Sequence, residues 1–113
     1  MPLDSHPAPT TIAPSLLANA ASALEPYLTI LVQAVKARVS VDGKVDRKAI
    51  DAEQHVVHGL AWVATYVETL REVAAWAGRL EDAGGFGETE QLLARVLFAE
   101  YGAQLRGGIP MNQ

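Results

Sequence analysis

The chain has 113 residues, half of them apolar, which is enough for one domain with a modest core. Its formal charge of -4 argues against a nucleic-acid partner, because phosphate neutralisation requires a clustered excess of lysine and arginine. It contains no cysteine, which excludes disulfides, thiolate catalysis and cysteine-based metal sites.

The N-terminus lacks the basic segment followed by an apolar segment that marks secretion. No run of apolar residues is expected to be long enough to span a bilayer, which needs roughly 18 or more. The sequence therefore predicts a cytoplasmic protein with no membrane segment.

Residues 1–14 contain four prolines with serine and threonine between them. Such a composition disfavours a helix, so we predict a disordered, proline-rich N-terminal arm over these residues. Helical spacing begins weakly at Leu16 and clearly at Leu24, and it continues to Val39. Pro26 cannot lie deep inside a helix, which favours a break between residues 22 and 26.

Residues 41–45 have the composition of a turn in which Gly43 adopts positive φ, and Asp46 is placed to cap the next helix. From Asp46 to about Asp82 there is no proline, which predicts one continuous helix of roughly 54 Å. Two adjacent apolar stripes run along it: Val56, Leu60, Val63, Val67, Leu70, Ala74 and Ala77, and beside them Trp62, Tyr66, Val73, Trp76 and Leu80.

A face made of two stripes is too wide for one neighbour, so the long helix is expected to pack against two others at once. Trp62 and Leu70 are both expected to be buried. The positions left for solvent are His58, Thr65, Glu68, Glu72 and Arg79.

Gly84 and Gly85 predict the end of the long helix, and a third helix is expected from about Glu88 to Arg106. Apolar residues surround much of its circumference, which predicts burial on more than one side. The predicted fold is all-α, an antiparallel bundle of three main helices over residues 15–107 with a long central helix. Residues 108–113 are expected to begin a linker to a missing downstream domain.

The sequence predicts no catalytic, cofactor-binding or metal-binding residue. His55 and His58 follow Asp51 at helical spacing and could share a face as metal ligands, but two exposed histidines are the favoured interpretation. No serine lies in a nucleophile motif, and no glycine pattern matches a phosphate loop. A chorismate-mutase-like enzyme would need more inward-facing basic residues than the long helix offers.

Helical spacing makes ordinary packing the first interpretation of the large aromatic residues. Three helices, of which one is short and broken by proline, cannot bury every apolar residue near the C-terminus, so some of these residues are expected to form an interaction surface. This predicted surface consists of Trp76, Phe98, Tyr101, Ile109 and Met111. Five polar residues are expected to pair with one another wherever they lie between helices, and a half-satisfied set could equally face a partner domain. They are Tyr66, Glu68, Arg71, Glu100 and Gln104.

Several segments of the second half of the chain carry a family resemblance. They are the residues 59–71, Trp76-Ala77, Phe86-Gly87-Glu88-Thr89-Glu90, Glu100-Tyr101 and Gly107-Gly108-Ile109-Pro110-Met111. Together they resemble the helical extension that precedes the catalytic body in the (2S)-methylsuccinyl-CoA dehydrogenases of the acyl-CoA dehydrogenase family. The resemblance covers residues 55 to the end, and Asn112 departs from the serine expected after Met111.

The resemblance implies that the parent protein is an FAD-dependent dehydrogenase that converts a branched dicarboxylic acyl-CoA, methylsuccinyl-CoA, into mesaconyl-CoA. It implies that the catalytic base and the flavin contacts belong to the downstream body, so this chain is a non-catalytic accessory domain. The alternative is a free-standing interaction or homo-oligomerisation module. The expected partner is accordingly the dehydrogenase body or a second copy.

Overall fold

A computed structural model describes residues 12–108 of the chain. The elements in order are α1 (Pro14–Ala23), α2 (Glu25–Arg38), β1 (Ser40–Val41), β2 (Lys44–Val45), α3 (Arg47–Ala52), α4 (Gln54–Asp82) and α5 (Glu88–Gly107). The predicted all-α class is confirmed, with one two-stranded hairpin added within the described residues.

The first helix begins at Pro14, the last residue of the predicted arm. Proline suits a first helical turn because its missing N–H would have no partner there, and its fixed φ matches the helix. Pro14 is buried, and Ile12 packs against the core. The prediction of disorder for residues 1–11 lies outside the described residues.

The predicted break between residues 22 and 26 is confirmed, since α1 and α2 are separated at Leu24. The Leu24 N–H bonds to the carbonyl of Ala21, and Pro26 lies in the first turn of α2. Proline at that position costs no helical hydrogen bond, which explains why the second helix starts there.

Counted as one segment, Pro14–Arg38 is long and apolar enough to cross a membrane, so the expectation that no such run exists is wrong. By length and composition alone this is weak evidence, because buried helices and signal sequences pass the same test. The break at Leu24 divides the segment into helices of 10 and 14 residues. Each is shorter than the roughly 20 residues that a spanning helix needs.

The predicted turn is a tight hairpin in which Ser40 pairs with Val45 and Val41 with Lys44. Asp42 and Gly43 have φ values of 53° and 79°, as expected of a type I′ turn, so the positive φ predicted for Gly43 is confirmed. Asp46 caps α3 through a 3.0 Å bond that its Oδ2 accepts from the Ala49 N–H, which confirms the predicted cap.

The prediction of one helix from Asp46 to Asp82 is wrong, because the chain breaks at Glu53, where φ and ψ are -112° and 30°. Arg38, at the end of α2, donates hydrogen bonds to the Glu53 carboxylate from both Nε and Nη2, and the shortest is 3.0 Å. This ion pair links the end of α2 to the junction between α3 and α4. The 29 residues of α4 span about 44 Å, which is shorter than predicted.

Helix α4 is the centre of the fold, since it packs against α1, α2 and α5. The expectation of more than one neighbour is therefore confirmed. Its first stripe is buried or half-buried throughout, and Leu70 is 1% exposed. The prediction that Trp62 is buried is wrong, because 38% of its surface is exposed at the edge of the second stripe.

A hydrophobic cluster joins α1, α4 and α5 through side chains that are mostly small. Its buried members are Leu17, Ala21, Ala74, Ala77, Phe86 and Ala94. Alanine lets helix axes approach closely, because the interaxial distance depends on the side chains at the contact.

The five solvent positions predicted for α4 are all exposed, as expected.

The end of α4 follows the predicted glycine stop in detail. The Gly84 N–H bonds to the Glu81 carbonyl and the Gly85 N–H to the Leu80 carbonyl, at 3.0 and 2.7 Å, while Gly84 takes a φ of 76°. This is the Schellman arrangement, which satisfies carbonyls at the end of a helix. It turns the chain so that α5 returns antiparallel to α4.

The expectation that α5 is buried on more than one side is wrong. Ala94 is its one buried residue, while Leu92, Leu93 and Val96 are 52%, 52% and 63% exposed. The molecule measures 70 by 29 by 19 Å with a radius of gyration of 18.7 Å, against about 13 Å for a compact domain of 100 residues. An elongated arrangement leaves α5 with neighbours on one side.

The substitution Leu70→Ala should lower the free energy of unfolding by about 2–5 kcal/mol, because it removes buried methyl groups and leaves a cavity. Leu16→Ala is the matched control, since Leu16 is 60% exposed on α1. Denaturant unfolding measures both. A loss at Leu70 no larger than the loss at Leu16 would show that the assigned core is wrong.

Candidate functional site

An open groove with a volume of about 830 Å³ lies between α4 and α5. Its apolar lining includes Val73, Trp76, Leu93 and Leu97. Its polar lining comes from α4 and consists of Thr65, Glu68, Thr69, Glu72 and Arg79. We call this surface the α4–α5 groove. An apolar floor with a polar rim is the anatomy of a protein-binding surface.

The predicted interaction residues are distributed unevenly about this groove. Trp76 lines it but is half-buried and meets Phe86 edge to face, with ring centroids 6.5 Å apart. Phe98 is half-buried and packs against the core cluster. Tyr101 lies between helices, and Ile109 and Met111 lie outside the described residues. The interaction surface as a set of five residues stays a prediction.

A polar network joins α4 to the far end of α5. The Tyr66 hydroxyl donates to Gln104 Oε1 at 2.6 Å, and Gln104 Nε2 donates to Glu100 Oε2 at 2.8 Å. The Tyr66 ring stacks on Tyr101 with centroids 4.5 Å apart and planes within 3°. This network fixes the register between the two helices.

The other polar residues of the predicted set also pair. Arg71 forms ion pairs with Glu68, at 2.7 Å along the same helix, and with Glu25 of α2. The predicted internal pairing is therefore confirmed, and Glu25 is a partner that the sequence did not indicate. All three side chains are about half exposed, so these pairs contribute little to stability.

The two histidines do not form a metal site with their neighbours. His58 Nε2 accepts a 3.0 Å hydrogen bond from Trp62 Nε1, one turn further along α4, and His55 is exposed. Between residues 12 and 108, no group of three potential metal-binding side chains comes together.

A smaller apolar groove of about 280 Å³ lies where α2, the first half of α4 and the end of α5 meet. It is lined by Tyr27, Leu31, Val35, Val56, Gly59, Leu60, Val63, Gln104, Leu105 and Gly108. No charged side chain is part of this lining. The smaller groove therefore offers no charged acid or base to a bound molecule.

The grooves do not fit a flavin adenine dinucleotide. A pyrophosphate is held by cations or by backbone N–H groups at a helix N-terminus. The α4–α5 groove offers Arg79 against the carboxylates of Glu68 and Glu72, and the smaller groove offers no cation. We assign no residue between positions 12 and 108 to a flavin.

Sequence reasoning overlooked Val73, Leu93 and Leu97 as the floor of the main groove. The signal was present, because Leu93 and Leu97 are four residues apart and so share one face of α5. It was overlooked because α5 was expected to be buried on more than one side.

No family model matches the chain. It is 50% identical over 99 residues to (2S)-methylsuccinyl-CoA dehydrogenase of Cereibacter sphaeroides. The chain is related to that enzyme. The alignment covers 88% of this chain and 18% of the relative, so the chain spans less than a fifth of the relative's length. The resemblance found from residue 55 onward is confirmed, and the similarity also reaches the earlier helices.

Tyr66→Phe should lower the free energy of unfolding by about 0.5–1.5 kcal/mol, because the ring stack remains while the bond to Gln104 is lost. Tyr27→Phe provides the control, since Tyr27 is 40% exposed and its hydroxyl has no hydrogen-bond partner within residues 12–108. Thermal unfolding of both variants makes the comparison. Equal melting temperatures for the two variants would show that the Tyr66–Gln104 hydrogen bond does not stabilise the packing of α4 on α5.

Proposed function

We propose that this chain is a non-catalytic helical accessory domain of an FAD-dependent acyl-CoA dehydrogenase. Its parent would oxidise a branched dicarboxylic acyl-CoA, converting methylsuccinyl-CoA into mesaconyl-CoA. The observation that carries the proposal is 50% identity to a (2S)-methylsuccinyl-CoA dehydrogenase over a span that makes up 18% of that enzyme. The remainder of such an enzyme is long enough to hold the catalytic body.

The chemistry of the described residues supports an accessory role. In the α4–α5 groove the Thr65 and Thr69 hydroxyls donate to backbone carbonyls of α4, and Arg79 lies with two carboxylates and no second cation in the lining. Such a lining is a poor site for the phosphates of a coenzyme A. The flavin, the catalytic base and the acyl-CoA contacts are accordingly assigned to the rest of the polypeptide. What this chain offers is apolar surface, chiefly the α4–α5 groove.

The α4–α5 groove is the surface that we assign to the dehydrogenase body. Leu93 is 52% exposed there, and Val73, Trp76 and Leu97 are half-buried beside it. A helix or loop laid into the groove would cover these residues without displacing any core side chain. Glu68, Glu72 and Arg79 would lie at the rim, where partly solvated charges give specificity more than affinity.

A free-standing oligomerisation module is the second candidate. The observation that favours it is the exposed apolar face of α5, which includes Leu92 and Val96 and points away from the groove. The two functions differ in the partner that raises the melting temperature. An accessory domain is stabilised by the dehydrogenase body added in trans, whereas a free-standing module is indifferent to it.

The full-length gene product should show flavin absorbance and oxidise methylsuccinyl-CoA with an artificial electron acceptor. The 113-residue chain should be colourless and inactive in the same assay. Absorption spectra of the two purified proteins decide the matter. A colourless full-length product that gains no activity with added FAD would contradict the proposal.

The groove assignment is tested with the body expressed without this domain. Leu93→Glu should abolish binding of the chain to the body in isothermal titration calorimetry, because it buries a charge in an apolar contact. Leu16→Glu should leave binding unchanged, since Leu16 is similarly exposed but lies on α1. Loss of binding with both variants, or with Leu16→Glu alone, would place the interface elsewhere.

A further inference from the structure

The outer face of α5 carries a stripe of exposed apolar residues. Leu92, Val96, Ala99 and Ala103 follow one another at spacings of four, three and four residues, and all four are exposed. This spacing keeps them on one side of the helix over about 17 Å, as in the seam of a coiled coil. We call this surface the α5 stripe.

The α5 stripe is distinct from the α4–α5 groove. Leu93 and Leu97 line the groove, and each is adjacent in sequence to a residue of the stripe. Successive residues of a helix point about 100° apart, so the two surfaces lie on neighbouring sides of α5. A protein segment seated in the groove would leave the stripe uncovered.

We propose that the α5 stripe binds the α5 stripe of a second copy of this chain, with the two helices antiparallel about a two-fold axis. This inference goes beyond the accessory role and holds whether or not the dehydrogenase body is the partner of the groove. Two features of the stripe select a second copy as the occupant: the order of its side-chain sizes and the charges at its ends.

The side-chain sizes are self-complementary. The stripe has two larger residues, Leu92 and Val96, followed by two alanines. An antiparallel pairing centred between positions 97 and 98 places Leu92 opposite Ala103 of the partner subunit and Val96 opposite Ala99 of the partner subunit. Each large side chain then meets a small one, which permits close approach of the helices.

The charges at the ends of the stripe are also self-complementary. Glu88 and Arg106 are separated by 18 residues, or five helical turns, so they lie on the same flank of α5. Both are exposed, and within residues 12–108 neither forms an ion pair. The antiparallel arrangement places Glu88 beside the partner's Arg106, and the two-fold axis repeats that pair at the other end.

The remaining charges near the stripe are Arg95 and Glu100, which are both exposed. The two-fold axis places each of them roughly 7.5 Å along the helix axis from its own copy, and like charges exposed to solvent repel only weakly. Arg95 lies on the same flank of α5 as Glu88. In the proposed register it lies at the height of position 100 of the partner helix. The residues of that helix on this flank near that level are Ala99 and Gly102, which are uncharged. Glu100 lies on the other flank of α5. At its height, that flank of the partner helix carries Leu93 of the partner subunit and Val96 of the partner subunit.

A two-helix contact of this length is smaller than a standard protein–protein interface. We therefore expect the 113-residue chain to be in a concentration-dependent equilibrium between monomer and dimer. Sedimentation velocity over a concentration series measures it. A strictly monomeric chain at millimolar concentration would overturn the proposal.

The stripe is tested by a charged substitution at its centre. Val96→Glu should weaken self-association at least about tenfold, which corresponds to 1.4 kcal/mol. Ile30→Glu on α2 is the matched control, because Ile30 is β-branched and 66% exposed, against 63% for Val96. An effect of Ile30→Glu equal to that of Val96→Glu would move the interface away from α5.

The antiparallel register is tested by reversing charges. Glu88→Arg and Arg106→Glu should each weaken the dimer, because each change places like charges together at both ends. The double variant should recover most of the lost affinity, since the pairs are then restored with opposite sign. Both changes are unfavourable to the α5 helix dipole, so better folding cannot explain a recovery. A double variant as weak as either single variant would refute this register.

Discussion

The fold depends on how closely other helices approach α4 near Ala77. Ala77 is fully buried, and Ala21, Ala74 and Ala94 are at most 6% exposed around it. Alanine gives little apolar area, so this contact stabilises through close packing of backbones more than through large side chains. The close approach of α1 and α5 to α4 follows from it, and larger residues such as Leu17 and Phe86 close the cluster. A larger side chain at position 77 would push all three helices apart.

A core made of small side chains has a consequence for the outer surfaces. Among the described residues, Leu70 and Val67 are the largest side chains with less than 2% of their surface exposed. Most other large apolar side chains lie at helix edges, because a chain 70 Å long and 19 Å thick has little interior. The α4–α5 groove and the α5 stripe are therefore products of the same geometry. They supply apolar area that becomes buried when a partner is present.

The sequence predicted the helical ends well and the burial of α5 poorly, for a physical reason in each case. Asp46, Gly43 and Gly84 act through local geometry, so their positions alone indicate the cap, the turn and the stop. The break at Glu53 coincides with an ion pair to Arg38, 15 residues earlier, and no periodicity contains that contact. Apolar spacing showed which faces of α5 avoid water, but it cannot tell whether the covering surface belongs to the same chain. The predicted burial of Trp62 is wrong for a different reason. This residue lies at the edge of its stripe, where its indole N–H donates a hydrogen bond to His58.

The two unpartnered surfaces of α5 determine how an assembly could be built. Leu93 and Leu97 face the groove, whereas Leu92 and Val96 face the stripe, so both surfaces can be occupied at the same time. A dehydrogenase body seated in the groove would be held next to the two-fold axis of the α5 pair. Two bodies would then be brought together by this domain, and each weak contact would gain from the other through a raised effective concentration. A short helix contact that is marginal in the isolated chain would in this way become effective in any longer protein that contains this domain, without any added residue at the stripe.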